Sequence, residues 1–383
     1  MTKPPMFIQQ GCGAGSLFSA VEGTTQESDL LLVFGTVDTL AHPDCQLALK
    51  ESARHATVIG ASTDLTISND NCACTLVWTH IHWEDTLLHC ATAPIPTPEA
   101  SEQAGLQLAK ALSPHRPRYV LLLSEGVFVN GSALSRGVQQ GLGEEILITG
   151  GLANDGTRFR ETFIISKGEV LSRHAVAVGF VGDNFQVTSG AIGGWKPFGP
   201  TRQVTRSLGN IVYEFDGKPA LPLYERYLGE EAKDLPASGL FYPIELTTKD
   251  GKGTGIVRTL LQIDREQQAL IFAGEVPQGI YARLMHARFD NLVSGAVTAG
   301  TEASDKIQAP ADLAILISCI GRKLVLGTRV CREVEAVRQT LGPKPVFCGF
   351  YSNGEISPYV PTAKCELHNQ TMTITLFKEH SCK

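Results

Sequence analysis

The sequence has no long apolar run, no excess of positive charge and no C-x-x-C cysteine pair. Its longest apolar stretches, such as Tyr119–Leu123 and Leu313–Ile317, are strand-length, far short of the roughly 18 residues a spanning helix needs. No membrane partner is expected. Lys and Arg number 33 against 39 Asp and Glu, a formal charge of −6, so no basic face invites nucleic acid. G-x-S-x-G, H-E-x-x-H and Walker loops are all missing, which removes the nucleophile–base, metal-hydrolase and nucleotide patterns and points away from an enzyme. No apolar segment precedes Gln9-Gln10-Gly11, so a cytoplasmic location is expected. In that reducing compartment the 10 cysteines read as small buried hydrophobes that stay reduced, with Cys72-Ala-Cys74 as two packed strand residues.

What the chain does have is an internal repeat. Three apolar runs open at Leu30, Val120 and Leu313, and each is followed by a helical stretch and a second run entering a glycine at Gly60, Gly150 and Gly349, spacings of 30, 30 and 36 residues. Asp64, Asn154 and Asn353 each stand four residues past that glycine. Two further strand-like stretches complete each unit: Cys72–His82 with Thr86–Ala91, Glu161–Ser166 with His174–Phe180, and Lys364–His368 with Met372–Phe377. Helical periodicity precedes two of the opening runs, over Pro98–Leu112 and Asn291–Ala303. The fold class is therefore α/β of mixed α+β type: pseudo-repeated strand–helix–strand–hairpin units forming mixed sheets flanked by helices, in two coupled halves. The first two units make one half, and the third unit with an insertion over Asp183–Met285 makes the other.

The words of the sequence also match a family. Gly150-Gly-Leu-Ala-Asn-Asp-Gly156, Gly193-Gly-Trp-Lys-Pro-Phe-Gly199, Gly209-Asn-Ile-Val-Tyr-Glu-Phe-Asp-Gly-Lys-Pro-Ala220, Tyr224-Glu-Arg-Tyr-Leu-Gly229, Ser318-Cys-Ile-Gly-Arg322, Gly349-Phe-Tyr-Ser-Asn-Gly-Glu355 and His368-Asn-Gln-Thr371 resemble, in order, the FIST sensory proteins. The resemblance implies a FIST N-terminal domain over 1–218 and a FIST C-terminal domain over 219–383. It implies a bacterial stand-alone sensor of small ligands such as amino acids, read by a histidine kinase, a cyclic-dinucleotide enzyme or another signalling protein. A subgroup of such proteins binds haem and senses nitric oxide. The first repeat departs from the family, because Gly60-Ala-Ser-Thr-Asp-Leu-Thr66 lacks the turn's second glycine and its acid.

The expected site gathers two equivalent turns and two polar words. Gly150, Gly151, Asn154, Asp155 and Gly156 offer backbone N–H groups to an anion, and Asn353 and Glu355 come from the equivalent turn. Arg322 supplies a planar guanidinium for a carboxylate, or else a structural ion pair with Glu355. His368 and Asn369 add an imidazole and an amide. The ligand this set favours is an anionic small molecule such as an amino acid, with no catalytic residue and no metal. The alternative is haem held by His368, and a further alternative is an enzyme acting on a small carboxylate. His80-Ile-His82 reads as a solvent-side strand face, and Trp195 and Phe198 as aromatics packed under a proline-rich loop.

Overall fold

The computed structural model describes residues 6–17, 28–69, 72, 74–358 and 364–380. The first unit runs from β1 (Met6–Cys12) through β2 (Asp29–Gly35), α1 (Val37–Ala41), α2 (Pro43–Ser52), β3 (Thr57–Ser62) and β4 (Thr66–Ser68) to β5 (Leu76–Trp83). The second comprises β6 (Leu87–Pro94), α3 (Ser101–Leu112), β7 (Tyr119–Ser124), α4 (Gly131–Leu142), β8 (Leu147–Leu152), the hairpin β9 (Ile164–Ser166) and β10 (Glu169–Leu171), and β11 (His174–Val181). The third opens with β12 (Phe185–Ile192) and is then interrupted by a β domain. That insertion holds β13 (Lys196–Leu208), β14 (Ile211–Phe215), β15 (Lys218–Pro219), α5 (Ala220–Leu228), β16 (Ile244–Thr247), β17 (Gly253–Arg258), β18 (Leu260–Asp264), β19 (Ala269–Phe272) and β20 (Tyr281–His286). The third unit resumes with α6 (Phe289–Ser304), β21 (Leu313–Cys319), α7 (Ile320–Leu326), α8 (Cys331–Leu341), β22 (Val346–Ser352), the hairpin β23 (Gly354–Pro358) and β24 (Cys365–His368), and β25 (Met372–Glu379).

The three opening runs are equivalent strands. Each of β2, β7 and β21 lies between a parallel partner (β3, β8, β22) and an antiparallel one (β5, β11, β25). Local signals set the helices between them: Thr36 and Asn130 accept N-terminal amides of α1 and α4, and Pro43 starts α2. The units then exchange strands. β9 of the second unit pairs with β3 of the first, β23 of the third with β8 of the second, and β4 of the first with β22 of the third. The coupling between the two halves is this closed ring of exchanges.

Both faces of the central strands β2, β7 and β21 are buried, which is why they read as continuous apolar runs. Alternate residues face a common centre, including Leu30, Phe34, Tyr119, Leu123, Ile315 and Phe350, with the Phe34 and Phe350 rings stacked at 4.7 Å. The other faces pack beneath each unit's own helices. The repeated glycines have a packing cause. A Cβ on Gly60, Gly150 or Gly349 would lie 1.8, 1.7 or 1.7 Å from the carbonyl oxygen of Val33, Leu122 or Leu316 on the parallel neighbour. Only glycine permits that approach.

Three boundaries differ from expectation. None of the three expected closing hairpins forms: Leu87–Ala91 lies in β6 and pairs with β11, Ile164–Ser166 (β9) pairs with β10 and β3 and not with β11, and Cys365–His368 (β24) pairs with β23 and not with β25. The insertion begins at Lys196 rather than Asp183, because β12 pairs with β25 of the third unit's own sheet. Cys72 and Cys74 precede β5, whose first residue is Leu76.

Candidate functional site

The parallel strand pairs all run toward one end of the ring, where α/β proteins place ligands. Asp64, Asn154 and Asn353, the three repeat-equivalent residues, follow β3, β8 and β22 there. Asn154 Nδ2 donates to Asn353 Oδ1 at 2.7 Å, Asn353 Nδ2 donates to the Gly126 carbonyl at 3.1 Å, and Asn154 Oδ1 accepts from Gly156 N at 2.8 Å and Asp64 N at 3.3 Å. Gly156, at φ +77°, turns the chain so close that a Cβ there would stand 3.2 Å from Asp64 Oδ2. Lys323, on α7, completes the cluster by an ion pair to Asp64 Oδ2. The two charged side chains are 25% and 26% exposed, and the other Asp64 oxygen, Oδ1, is buried with no hydrogen-bond partner among the described residues. A buried acceptor left open in this way is an unmet demand for a donor.

The remaining expected site residues lie elsewhere, and their surroundings say why. Gly150 and Gly151 are inside β8, pressed against Leu122 and Ile317, and offer no amide to a ligand. Asp155 is saturated: its oxygens accept from the amides of Phe159, Arg160 and Glu161 at 2.8–3.1 Å, which folds the following loop. Arg322 is fully buried, with Nε and Nη2 on Glu333 and with Nη1 and Nη2 on the Gly193 and Leu292 carbonyls. Its ion-pair partner is Glu333 on α8, not Glu355, and the guanidinium holds helices and loop together instead of facing a ligand.

Glu355, His368 and Asn369 form a second polar cluster against the inserted domain. Glu355 accepts from Ser352 Oγ at 2.5 Å and from the amide and hydroxyl of Thr371 at 3.1 and 2.9 Å. Burial raises its pKa to about 7. Asn369 is 1% exposed, and neither Nδ2 nor Oδ1 has a partner among the described residues. The adjoining Gln370 ties the turn to the insertion, its carbonyl accepting from Trp195 Nε1 at 3.0 Å and its Nε2 donating to Leu240 O at 3.1 Å. Trp195 is thus packed as expected, whereas Phe198 is 38% exposed and borders a groove with Tyr242 and His286.

His368 does not fit haem as arranged. Its imidazole is fully buried, Nε2 lies 2.8 Å from the Ser357 carbonyl, and desolvation lowers the pKa to about 4. Iron at that nitrogen would have to displace the hydrogen bond inside a packed strand pair. His80 and His82 prove less bland than expected, since Asp29 Oδ1 bridges them at 2.7 and 3.1 Å.

The molecule is a three-unit α/β protein with an inserted β domain and a polar, partly charged cluster at its converging strand ends. The FIST N domain model matches residues 29–218 and the FIST C domain model residues 220–358. The chain belongs to the FIST family, whose domains are associated with small-ligand sensing in signal transduction. It is 29% identical over 239 residues to an uncharacterized protein of Methanocaldococcus jannaschii, covering 58% of this chain and 44% of that protein. The chain thus matches less than half the length of that relative. Among solved structures, cyanuric acid hydrolase from A. caulinodans aligns over 99% of this chain and 100% of that one at 8% identity and a TM-score of 0.41. PurLQS from Thermotoga maritima aligns over 98% and 72% at 10% identity and a TM-score of 0.20. Neither likeness is close enough to carry an argument.

Proposed function

We propose that this protein senses an amino-acid-type small molecule at the cluster of Asp64, Lys323, Asn154 and Asn353, and passes the signal to a partner such as a histidine kinase or a cyclic-dinucleotide enzyme, without chemistry of its own. The observation that supports this most is the part-exposed Lys323–Asp64 pair, with Asp64 Oδ1 open beside it. A zwitterion matches that pair in both signs: its carboxylate engages the Lys323 ammonium and its amine the Asp64 carboxylate, so neither protein charge loses a partner when the internal pair separates. Asn154 is fully buried, with both its side-chain oxygen and nitrogen hydrogen-bonded, and acts as a positioning residue, while Asn353, half-buried, stands at the rim. Lys323 supplies the cationic role expected of Arg322, so an anionic group on the ligand is retained in the reading. No helix among the described residues is long and apolar enough to cross a membrane, and a cytoplasmic site of action is part of the proposal.

Native mass spectrometry and an absorption spectrum of freshly purified protein, followed by calorimetry with the standard amino acids, test the reading. Binding of at least one amino acid, weakened about tenfold or more by Lys323→Ala, is expected. A Soret band, turnover of the bound compound, or affinity indifferent to Lys323→Ala would each overturn it.

A further inference from the structure

Cys12 and Cys74 stand apart from the expected reading of the cysteines as small buried hydrophobes. Cys12 ends β1 and Cys74 lies just before β5, and their Sγ atoms stand 2.7 Å apart. Non-bonded heavy atoms settle at about 3.5–4.0 Å, whereas a disulfide bond is about 2.05 Å, so the two sulfurs are already inside ordinary contact. The backbone brings them there. β1 and β5 are antiparallel with Cys12 opposite Val77, Gly13 N donates to Leu76 O at 3.1 Å, and Thr66 Oγ1 donates to Cys74 O at 2.8 Å. Unlike Cys45, Cys72, Cys319, Cys348 and Cys365, which are buried, Cys12 is exposed and Cys74 half-exposed, so a reagent in solution reaches this pair.

We propose that Cys12 and Cys74 are a covalent modification site: a dithiol that closes to a disulfide on meeting a low-molecular-weight disulfide oxidant such as oxidised glutathione. One protein thiol gives its proton to solvent, and its thiolate attacks a sulfur of the oxidant. A mixed disulfide forms as the oxidant's S–S bond breaks and a small thiolate leaves. The second protein thiolate then attacks the protein sulfur of the mixed disulfide, forming the Cys12–Cys74 bond and expelling the second small thiol. Two electrons pass to the oxidant, which ends as two thiols carrying the protons, and the protein loses two hydrogens. Because β1 is the edge strand of its sheet, the bond staples that edge to β5 and closes the long loop between them, which restricts the unfolded chain. Although Cys12 lies at the surface, partial desolvation of its thiol and then the neighbouring Cys74 raise its pKa to about 11, so closure accelerates with rising pH.

The test uses the full chain treated with oxidised glutathione, then denatured, alkylated and mapped by mass spectrometry. The expected result is a cross-linked peptide pair joining Cys12 to Cys74, free of glutathione and reversed by dithiothreitol, with a higher unfolding temperature in the oxidised form. Cys12→Ser should leave one glutathione on Cys74, and Cys74→Ser one on Cys12. Recovery of both cysteines fully alkylated after oxidation, separate glutathione adducts on the two, or Cys12 bridged to another cysteine would each overturn the assignment.

Discussion

Glu355 and His368 stand opposite each other on β23 and β24 as register partners, and the same burial drives them in opposite directions, the carboxyl up to about 7 and the imidazole down to about 4. An acid and a base are thereby both held in their uncharged forms across a band of mildly acidic pH.

That pairing shapes stability against pH. The folded chain keeps the Glu355 proton up to about pH 7, while the unfolded chain releases it near 4.5, so stability is fullest below 4.5 and declines as pH rises to about 7. His368 works the other way: its contribution is full above 6.5 and is lost as pH falls to about 4. Glu355→Gln should remove the decline on the alkaline side, gaining on the order of 3 kcal/mol over wild type at pH 8 relative to pH 4. Urea denaturation at a series of pH values measures it, and parallel curves for the two proteins would refute the account.

Arg322 is a structural residue. Arg322→Ala leaves the Glu333 carboxylate buried without its cation, and loss of one member of such a pair costs about 3–5 kcal/mol. Arg322→Lys cannot reproduce the fork that reaches Glu333, Gly193 and Leu292 together and should recover only part of that. Chemical denaturation reads both, and an unchanged midpoint for Arg322→Ala contradicts the assignment.

The amide pair at the ring mouth is coupled. In a double-mutant cycle of Asn154→Ala and Asn353→Ala, the single losses should exceed the double loss by about 0.5–1.5 kcal/mol. Strict additivity in the same denaturation assay would show the 2.7 Å bond to be energetically silent.

Gly60→Ala, Gly150→Ala and Gly349→Ala should each destabilise by at least about 1–3 kcal/mol, since a methyl there overlaps a carbonyl oxygen. Soluble yield and melting temperature check this, with Gly300→Ala as the control, because a Cβ there meets nothing nearer than 3.6 Å.

The repeat was legible because close packing leaves a written trace. The glycines that let β3, β8 and β22 approach their neighbours stand in the sequence as glycines, and the Asp or Asn four residues on marks the same corner three times. Asn154 and Asn353 could therefore be placed together, and Asp64 belonged with them despite its departure from the family's turn. Lys323 was hidden by its neighbour. α7 begins at Ile320, and successive helical residues point about 100° apart, so Arg322 turns inward to Glu333 while Lys323 turns toward Asp64. A sequence that fixes neither the helix start nor a partner on another helix cannot say which of two adjacent cations faces out. The exchange of β4, β9 and β23 between units was likewise unreadable, since strands of three to five residues carry too little periodicity to declare a sheet.

Because every unit receives a strand from one neighbour and gives one to the other, the ring has no natural place to be cut. A chain ending near residue 218 would carry β8 without β23, and would carry β4 with no β22 to receive it. Both would become open hydrogen-bonding edges, the templates from which runaway pairing between molecules begins. What comparisons of sequence divide into two named domains is, mechanically, one closed circuit, and its parts should be made, melted and inherited together.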